Sequence, residues 1–378
     1  MAAESYPAAR AIAPVVAAHF AAHAAAARPE RGRVASPPDA AVVEALISAA
    51  FWASLRREEG YVPRISLAYV APGETPHPLL FERPLPLAPA ALTKVSPAVE
   101  RAGMHLGVWP DGADLSVWGT TRTVPPLAFV LEVASPGLLV VKHQRGGDLG
   151  KFVNVAVLEG DTAKVVDEAA SSLPGCPRLL TSLLGFGSPA SWVDGVNVLV
   201  QLAVSMRAHR RGGLMLVVPA RSDAWRESIV QPIPYGVAPP FLELARLVRE
   251  TPEPDGRLSW QGALARAVDA VAGLTAVDGA TVLTLDYELL AFGAKIARRR
   301  GSPPVERISV TEPIIGGAAD VVHPTYLGGT RHLSAAQFVQ DQHDAMALVA
   351  SQDGRFTVFA WSHGEHMVHA HRVEMLLL

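Results

Sequence analysis

The chain has 378 residues, a formal net charge of -3, 49% hydrophobic and 18% charged residues. That length predicts two or three domains with buried cores, and the mild acidity argues against a dedicated nucleic-acid binder, which needs concentrated positive charge. A single cysteine, Cys176, excludes an intrachain disulfide and a cysteine zinc cluster, and fits a reducing, cytoplasmic compartment.

Residues 1–27 are alanine-rich and include Glu4, Arg10, His19 and His23. They lack a charged head followed by a signal-peptide core, and the apolar run over 11–27 is short and interrupted by two histidines. The expectation is a packed or surface helix over 8–27, with Pro14 near its first turns, and no membrane association. Residues 28–39 read as a loop. Asp39 is placed to cap a helix over 40–57, where Val43, Leu46, Ile47 and Ala50 recur at helical spacing.

The period then changes. Residues 64–70 read as a strand, 78–82 as a second, and 84–97 as irregular on account of their prolines. Three hairpins follow: 105–109 with 114–118, 127–134 with 137–143, and 152–158 with 162–166. Trp109 and Trp118 are read as cross-strand packing, with an aromatic recognition face as the alternative. Lys142–His143–Gln144–Arg145–Gly146–Gly147 is read as a charged turn leaving a buried strand, with a phosphate or partner contact as the alternative. Cys176 has no basic partner in sequence to make it a thiolate. Residues 185–194 read as loop and 196–209 as a helix.

Residues 213–219 read as a central strand, with Arg207, His209, Arg210 and Arg211 just before it. Residues 232–240 are expected to be a proline-punctuated loop, and 241–248 and 260–272 helices. Asp278–Gly279–Ala280 opens a strand over 281–285. A turn at Asp286–Tyr287–Glu288 leads into a strand over 289–295 whose Gly293 suits a ligand or a backbone packed over it. The basic run ending in Arg298–Arg299–Arg300 is expected to be a solvated surface, and 301–325 a long connection.

Next comes Gly328–Gly329–Thr330–Arg331–His332–Leu333–Ser334–Ala335–Ala336. A glycine pair, a hydroxyl, a guanidinium and an imidazole precede a helix expected over 335–342, which is a plausible anion cradle. A hairpin over 344–351 and 355–361 turns at Gln352–Asp353–Gly354. His363 and His366 could meet on a helix, but His363, His366, His369 and His371 have no standard zinc spacing and are read as surface residues.

Taken in order, the features over about 203–361 resemble the diadenylate cyclase catalytic domain. These are a basic helix before the strand 213–219, Asp278–Gly279–Ala280, the strand ending at Gly293, Gly329–Thr330–Arg331–His332 with Ser334–Ala335–Ala336, and Asp344–Ala345 leading to the turn at 351–354. The chain also resembles the sensor family DACNV, whose members carry a diadenylate-cyclase-like domain after a distinct amino-terminal region. This resemblance implies an α/β domain with a mixed central sheet, preceded by a helical segment and a β-rich region. The expected divisions are 1–59 helical, 60–195 β-rich accessory, 196–362 nucleotide-binding and 363–378 tail. Active members of the cyclase family join two ATP molecules into cyclic di-AMP with Mg or Mn across a face-to-face dimer. By that resemblance Asp278 would bind the metal and prepare a ribose hydroxyl, as the catalytic residue of an active enzyme. Gly279, Ala280, Gly293, Gly329, Thr330, Arg331 and His332 would line the nucleotide site, the last four around phosphates.

Two departures change the expected chemistry. The active family reads arginine–histidine–arginine where this chain has Arg331–His332–Leu333, and serine–glutamate–glutamate where it has Ser351–Gln352–Asp353. One cation and one carboxylate are gone. The leading expectation is a sensor that binds a nucleotide or cyclic dinucleotide. The β-rich region would contact a protein partner, homodimerisation would follow the family, and no specific nucleic acid would be bound. An active cyclase and a non-catalytic interaction module are the alternatives.

Overall fold

Apolar strands, the central ones buried at every position, build both sheets. The computed structural model describes residues 5–27, 34–101, 103–144, 152–167, 198–250, 253 and 256–378. Cys176, Arg145–Gly146–Gly147 and the loop expected over 185–194 lie outside them. The chain divides into two units, Met1–Val166 with Leu378, and Asp167–Leu377.

In the first unit, α1 (Pro7–Ala26) and α2 (Ala40–Ser54) precede β1 (Ser66–Tyr69) and β2 (Leu79–Pro86), followed by α3 (Pro89–Val95). Then come β3 (His105–Asp111), β4 (Asp114–Thr121), β5 (Phe129–Ser135), β6 (Leu138–Gln144), β7 (Phe152–Glu159) and β8 (Thr162–Val165). The described strands form an open sheet in the order β2-β4-β3-β1-β5-β6-β7-β8. Leu67 and Tyr69 of β1 join Leu106, Phe129 and Leu131 beneath α1 and α2, where Phe20, Leu46 and Ile47 are buried. Ala68 and Val70 face the other way, toward Trp118 and Val130. This is the two-residue period of a strand covered by helices on one face and by a smaller cluster on the other. Asp39 caps α2, accepting the Val42 N–H at 2.8 Å.

Both tryptophans are packing residues. Trp118 donates its indole N–H to the Val70 carbonyl at 2.8 Å, and Trp109 lies 4.7 Å from the Tyr69 ring. The stretch expected to be irregular supplies the end of β2 and then α3, because Pro89 stands at the first helical position, where a missing N–H costs nothing. Lys142 and His143 are buried inside β6, with Lys142 paired to Glu132, so this part of the basic stretch belongs to the strand itself.

The second unit contains α4 (Val198–Ala208), β9 (Gly213–Val218), β10 (Tyr235–Phe241), α5 (Glu243–Arg249), α6 (Arg257–Leu274), β11 (Ala280–Thr284) and β12 (Leu289–Ala294). β13 (Ile308–Thr311), β14 (Asp320–Val322), α7 (Thr330–Asp341), β15 (Met346–Ala350), β16 (Phe356–Ser362) and β17 (Met367–Arg372) complete it. The described strands form a mixed open sheet, β10-β12-β11-β9-β15-β16-β17-β13-β14. Met215, Val217 and Leu348 pack beneath α4, α5 and α6, while Leu214, Leu216 and Val349 pack against α7. Covered on both faces, β9 is buried at every position, as its uninterrupted apolar run requires.

Three expectations are corrected here. The proline-punctuated stretch holds β10, an edge strand, which is where proline is tolerated in a sheet. The connection over 301–325 contributes β13 and β14, a pair at the opposite edge. His363 and His366 are in a turn rather than a helix, and His369 and His371 lie on β17, where the His371 and Thr311 side chains meet at 2.7 Å. Among the described residues, no helix is long and apolar enough to cross a membrane.

Candidate functional site at one end of the second sheet

β9 and β11 run parallel, with Thr281 beside Met215. Continuing that register backwards puts Asp278 level with Gly212. β15 runs antiparallel to β9 and pairs Ala350 with Gly213, so the turn after β15 reaches the same end. α7 also delivers its N-terminus there. The helix starts at Thr330, five residues before the predicted start, and Gly329 is its N-cap. Thr330, Arg331 and His332 therefore form its first turn, and the Thr330 and Arg331 amides precede the first intrahelical bonds, which go from His332 and Leu333 to the Gly329 carbonyl.

Each predicted residue has a distinct setting. The Arg331 guanidinium lies on Gly212: a β-carbon there would stand 2.6 Å from Nη1. The Asp278 carboxylate is exposed and accepts from Lys295 Nζ at 2.5 Å. Its pKa is held below the usual carboxylate value first by that Lys295 bond and charge, and further by the Arg331 charge. Asp278 and Arg331 thus share one electrostatic neighbourhood. Thr330 is exposed there.

His332, expected around the phosphates, is a buried side chain. It is 5% exposed, its ring stands edge-on to Phe359, and its Nδ1 lies close to Gly328. Burial lowers its pKa and favours neutral imidazole, an effect opposed by Asp353 and assisted by Arg355 and Arg331. Gly279 and Gly293 pack backbone to backbone. A β-carbon on Gly279 would stand 2.6 Å from the Gly293 carbonyl oxygen. Tyr235 covers Gly293, its ring stacked 4.9 Å from Phe292. Ala280 is fully buried opposite Ala294. These residues shape the corner that carries Asp278, and a protein backbone and a tyrosine ring occupy the space over Gly293.

The sequence reading did not single out Lys295, Gly212 or Tyr235 as site residues. The glycine pair Gly212–Gly213 directly before a buried strand was an available signal, since Gly212 has φ +70 and a β-carbon on Gly213 would stand 2.6 Å from Thr275 Oγ1. The basic residues before β9 divide their roles. Arg207 donates to the Gly354 carbonyl at 2.8 Å and the Leu377 carbonyl at 3.1 Å, anchoring the β15–β16 turn, and His209 meets Thr275 Oγ1 at 3.1 Å. Gln352 donates weakly to the Arg211 carbonyl at 3.4 Å, and Asp353 pairs with Arg355 at 3.4 Å.

This donor set does not fit a protein-held Mg or Mn ion. Hard cations need several oxygen ligands. Here Asp278 is bonded to an ammonium, Gln352 carries no charge, and among the described residues no three His, Cys, Asp or Glu side chains are grouped to hold a metal.

A search of curated proteins gives no match. A family model described as "Probable sensor domain DACNV" matches residues 32–122. That stretch runs from before α2 through β4, within the first unit, whereas Asp278 and Arg331 belong to the second. Over those residues the chain is similar to a sensor-domain family.

Proposed function

We propose that this protein is a nucleotide sensor. Its second unit is a degenerate diadenylate-cyclase-like domain that binds a nucleotide or cyclic dinucleotide through its phosphates. The first unit reports occupancy to a protein partner. The observation that carries this reading is the convergence of Arg331, the first turn of α7 and Asp278 on one end of the sheet. A guanidinium beside unpaired helix-start amides is suited to a phosphate, and the arginine fork adds geometric specificity. The sensor-family match over 32–122 supports a signalling role for the first unit.

Binding without turnover follows from the same charges. Nucleotidyl transfer needs a cation held against the attacked phosphate and an activated hydroxyl. Asp278 shares its charge with Lys295, and Gln352 has none to offer. The test is calorimetry of the intact protein against cyclic di-AMP, ATP and related nucleotides, paired with mass spectrometry after incubation with ATP and Mn. Saturable binding that weakens about tenfold or more in Arg331→Ala, with no cyclic product, is the expected result. A cyclic di-AMP product lost in Asp278→Ala would make the protein a cyclase. Absence of binding to any nucleotide would leave an interaction module.

A further inference from the structure

The carboxylate expected to hold Mg or Mn already holds a cation of the protein's own. Asp278 accepts from Lys295 Nζ at 2.5 Å. Ala280 pairs with Ala294 across β11 and β12, so Asp278, just before one strand, and Lys295, just after the other, stand at the same end of the sheet. The backbone of Lys295 is pinned there. Its carbonyl accepts the Val230 N–H at 2.8 Å, and Ile296 is bridged to Ile229. The Lys295 and Asp278 side chains are 49% and 91% exposed, so a ligand can reach both.

We infer that Lys295 takes the part expected of the divalent metal, and that this corner binds nucleotide phosphates through protein cations alone, without Mg or Mn. The inference rests on the nucleotide reading of this end of the sheet and deepens it by adding a phosphate-binding residue and a metal-free mode of binding.

The argument is one of charge. A bare carboxylate at Asp278 would repel a phosphate, so a cation has to stand between the two. A hard metal does this by taking oxygen ligands from both sides. An ammonium does it with hydrogen bonds: it has three donors, and with one spent on Asp278 two remain for phosphate oxygens. Arg331 is the second cation, and its planar fork suits a phosphate where the lysine acts as a point charge. Both cations act on the same carboxylate, since the Asp278 pKa is lowered first by Lys295 and further by Arg331. Lys295 and Arg331 against Asp278 leave the corner a surplus of positive charge with no metal. A divalent ion would have to displace Lys295, and Gln352 has no charge to help hold it.

The experiment titrates the full chain with cyclic di-AMP and with ATP by calorimetry, at one ionic strength, in EDTA and then in Mg or Mn. Wild type is compared with Lys295→Gln and Asp278→Asn. Both side chains reach solvent, so the variants keep the fold, which circular dichroism verifies. Wild-type affinity is expected to be the same in EDTA as in either metal. Lys295→Gln should weaken binding in EDTA by roughly tenfold or more, the cost of losing a charged hydrogen-bond donor. Asp278→Asn should hold or raise the affinity, because it frees Lys295 for the ligand, whereas a metal-holding Asp278 would make it fall. Wild-type binding that needs Mg or Mn, a folded Lys295→Gln that binds as tightly as wild type in EDTA, or a fall in Asp278→Asn overturns the inference and leaves the nucleotide reading standing. No binding of either nucleotide by wild type in any of these buffers overturns both.

Discussion

The Arg331 guanidinium and Gly212 are in close apposition, and the left-handed backbone of Gly212, at φ +70, is what allows it. Gly212→Ala adds a left-handed L-residue, at roughly 1–2 kcal/mol, and displaces the guanidinium. Urea denaturation should show that loss. Nucleotide titration should show an affinity drop approaching that of Arg331→Ala. Retained stability and affinity would mean that the two groups do not touch in solution.

Gly279→Ala should be the more damaging change. Its φ of +118 is unfavourable for any side chain, and the new methyl would meet the Gly293 backbone, which cannot rotate away as an arginine can. A loss of about 3 kcal/mol is expected, larger than for Gly212→Ala. The comparison of the two urea midpoints checks the ranking, and the reverse order would contradict the backbone contact.

Asp39→Ala removes the cap of α2 and should cost about 1 kcal/mol, while Asp39→Asn should keep most of it. Because α2 is buried against the first sheet, the loss should appear in that unit's cooperative unfolding. An Asp39→Ala midpoint equal to wild type would remove the cap from the account.

Two buried histidines predict an acid limb. Burial lowers both His105 and His371 to about 4, from an ordinary value near 6.5. His105 meets Ser66 at 2.7 Å, and His371 meets Thr311 at 2.7 Å. The native state disfavours protonation and the unfolded chain does not. Stability is therefore complete above pH 6.5 and falls as pH drops from 6.5 toward 4, by up to about 3 kcal/mol per histidine. His105→Gln and His371→Gln should each flatten that limb in a urea-midpoint against pH series. An unchanged slope between pH 6.5 and 4 in both variants would rule these groups out as its source.

Much of the element order was readable before the fold. The turn residues Pro110–Asp111–Gly112 and Ser135–Pro136–Gly137 marked the hairpins over 105–118 and 127–143, and the apolar run Gly213–Val218 marked a central strand, because turn chemistry and full burial are written locally. Proline was misleading at 84–97 and 232–240. It ends a helix or a central strand, yet it is accepted at a helix start and on an edge strand, and position in the sheet is not a local property. The candidate site was legible in part. Arg331 and Asp278 could be named from their motifs, whereas the burial of His332 against Phe359 depended on α7 starting at Thr330.

By itself, the sequence determined which stretches are apolar enough to be buried and where Asp39 caps a helix. Only the tertiary structure decided that Asp278 is paired with Lys295 and that Arg331 rests on Gly212. The physical reason is range. Periodicity and capping act over a few residues, while strand register and helix docking set which distant side chains share a space.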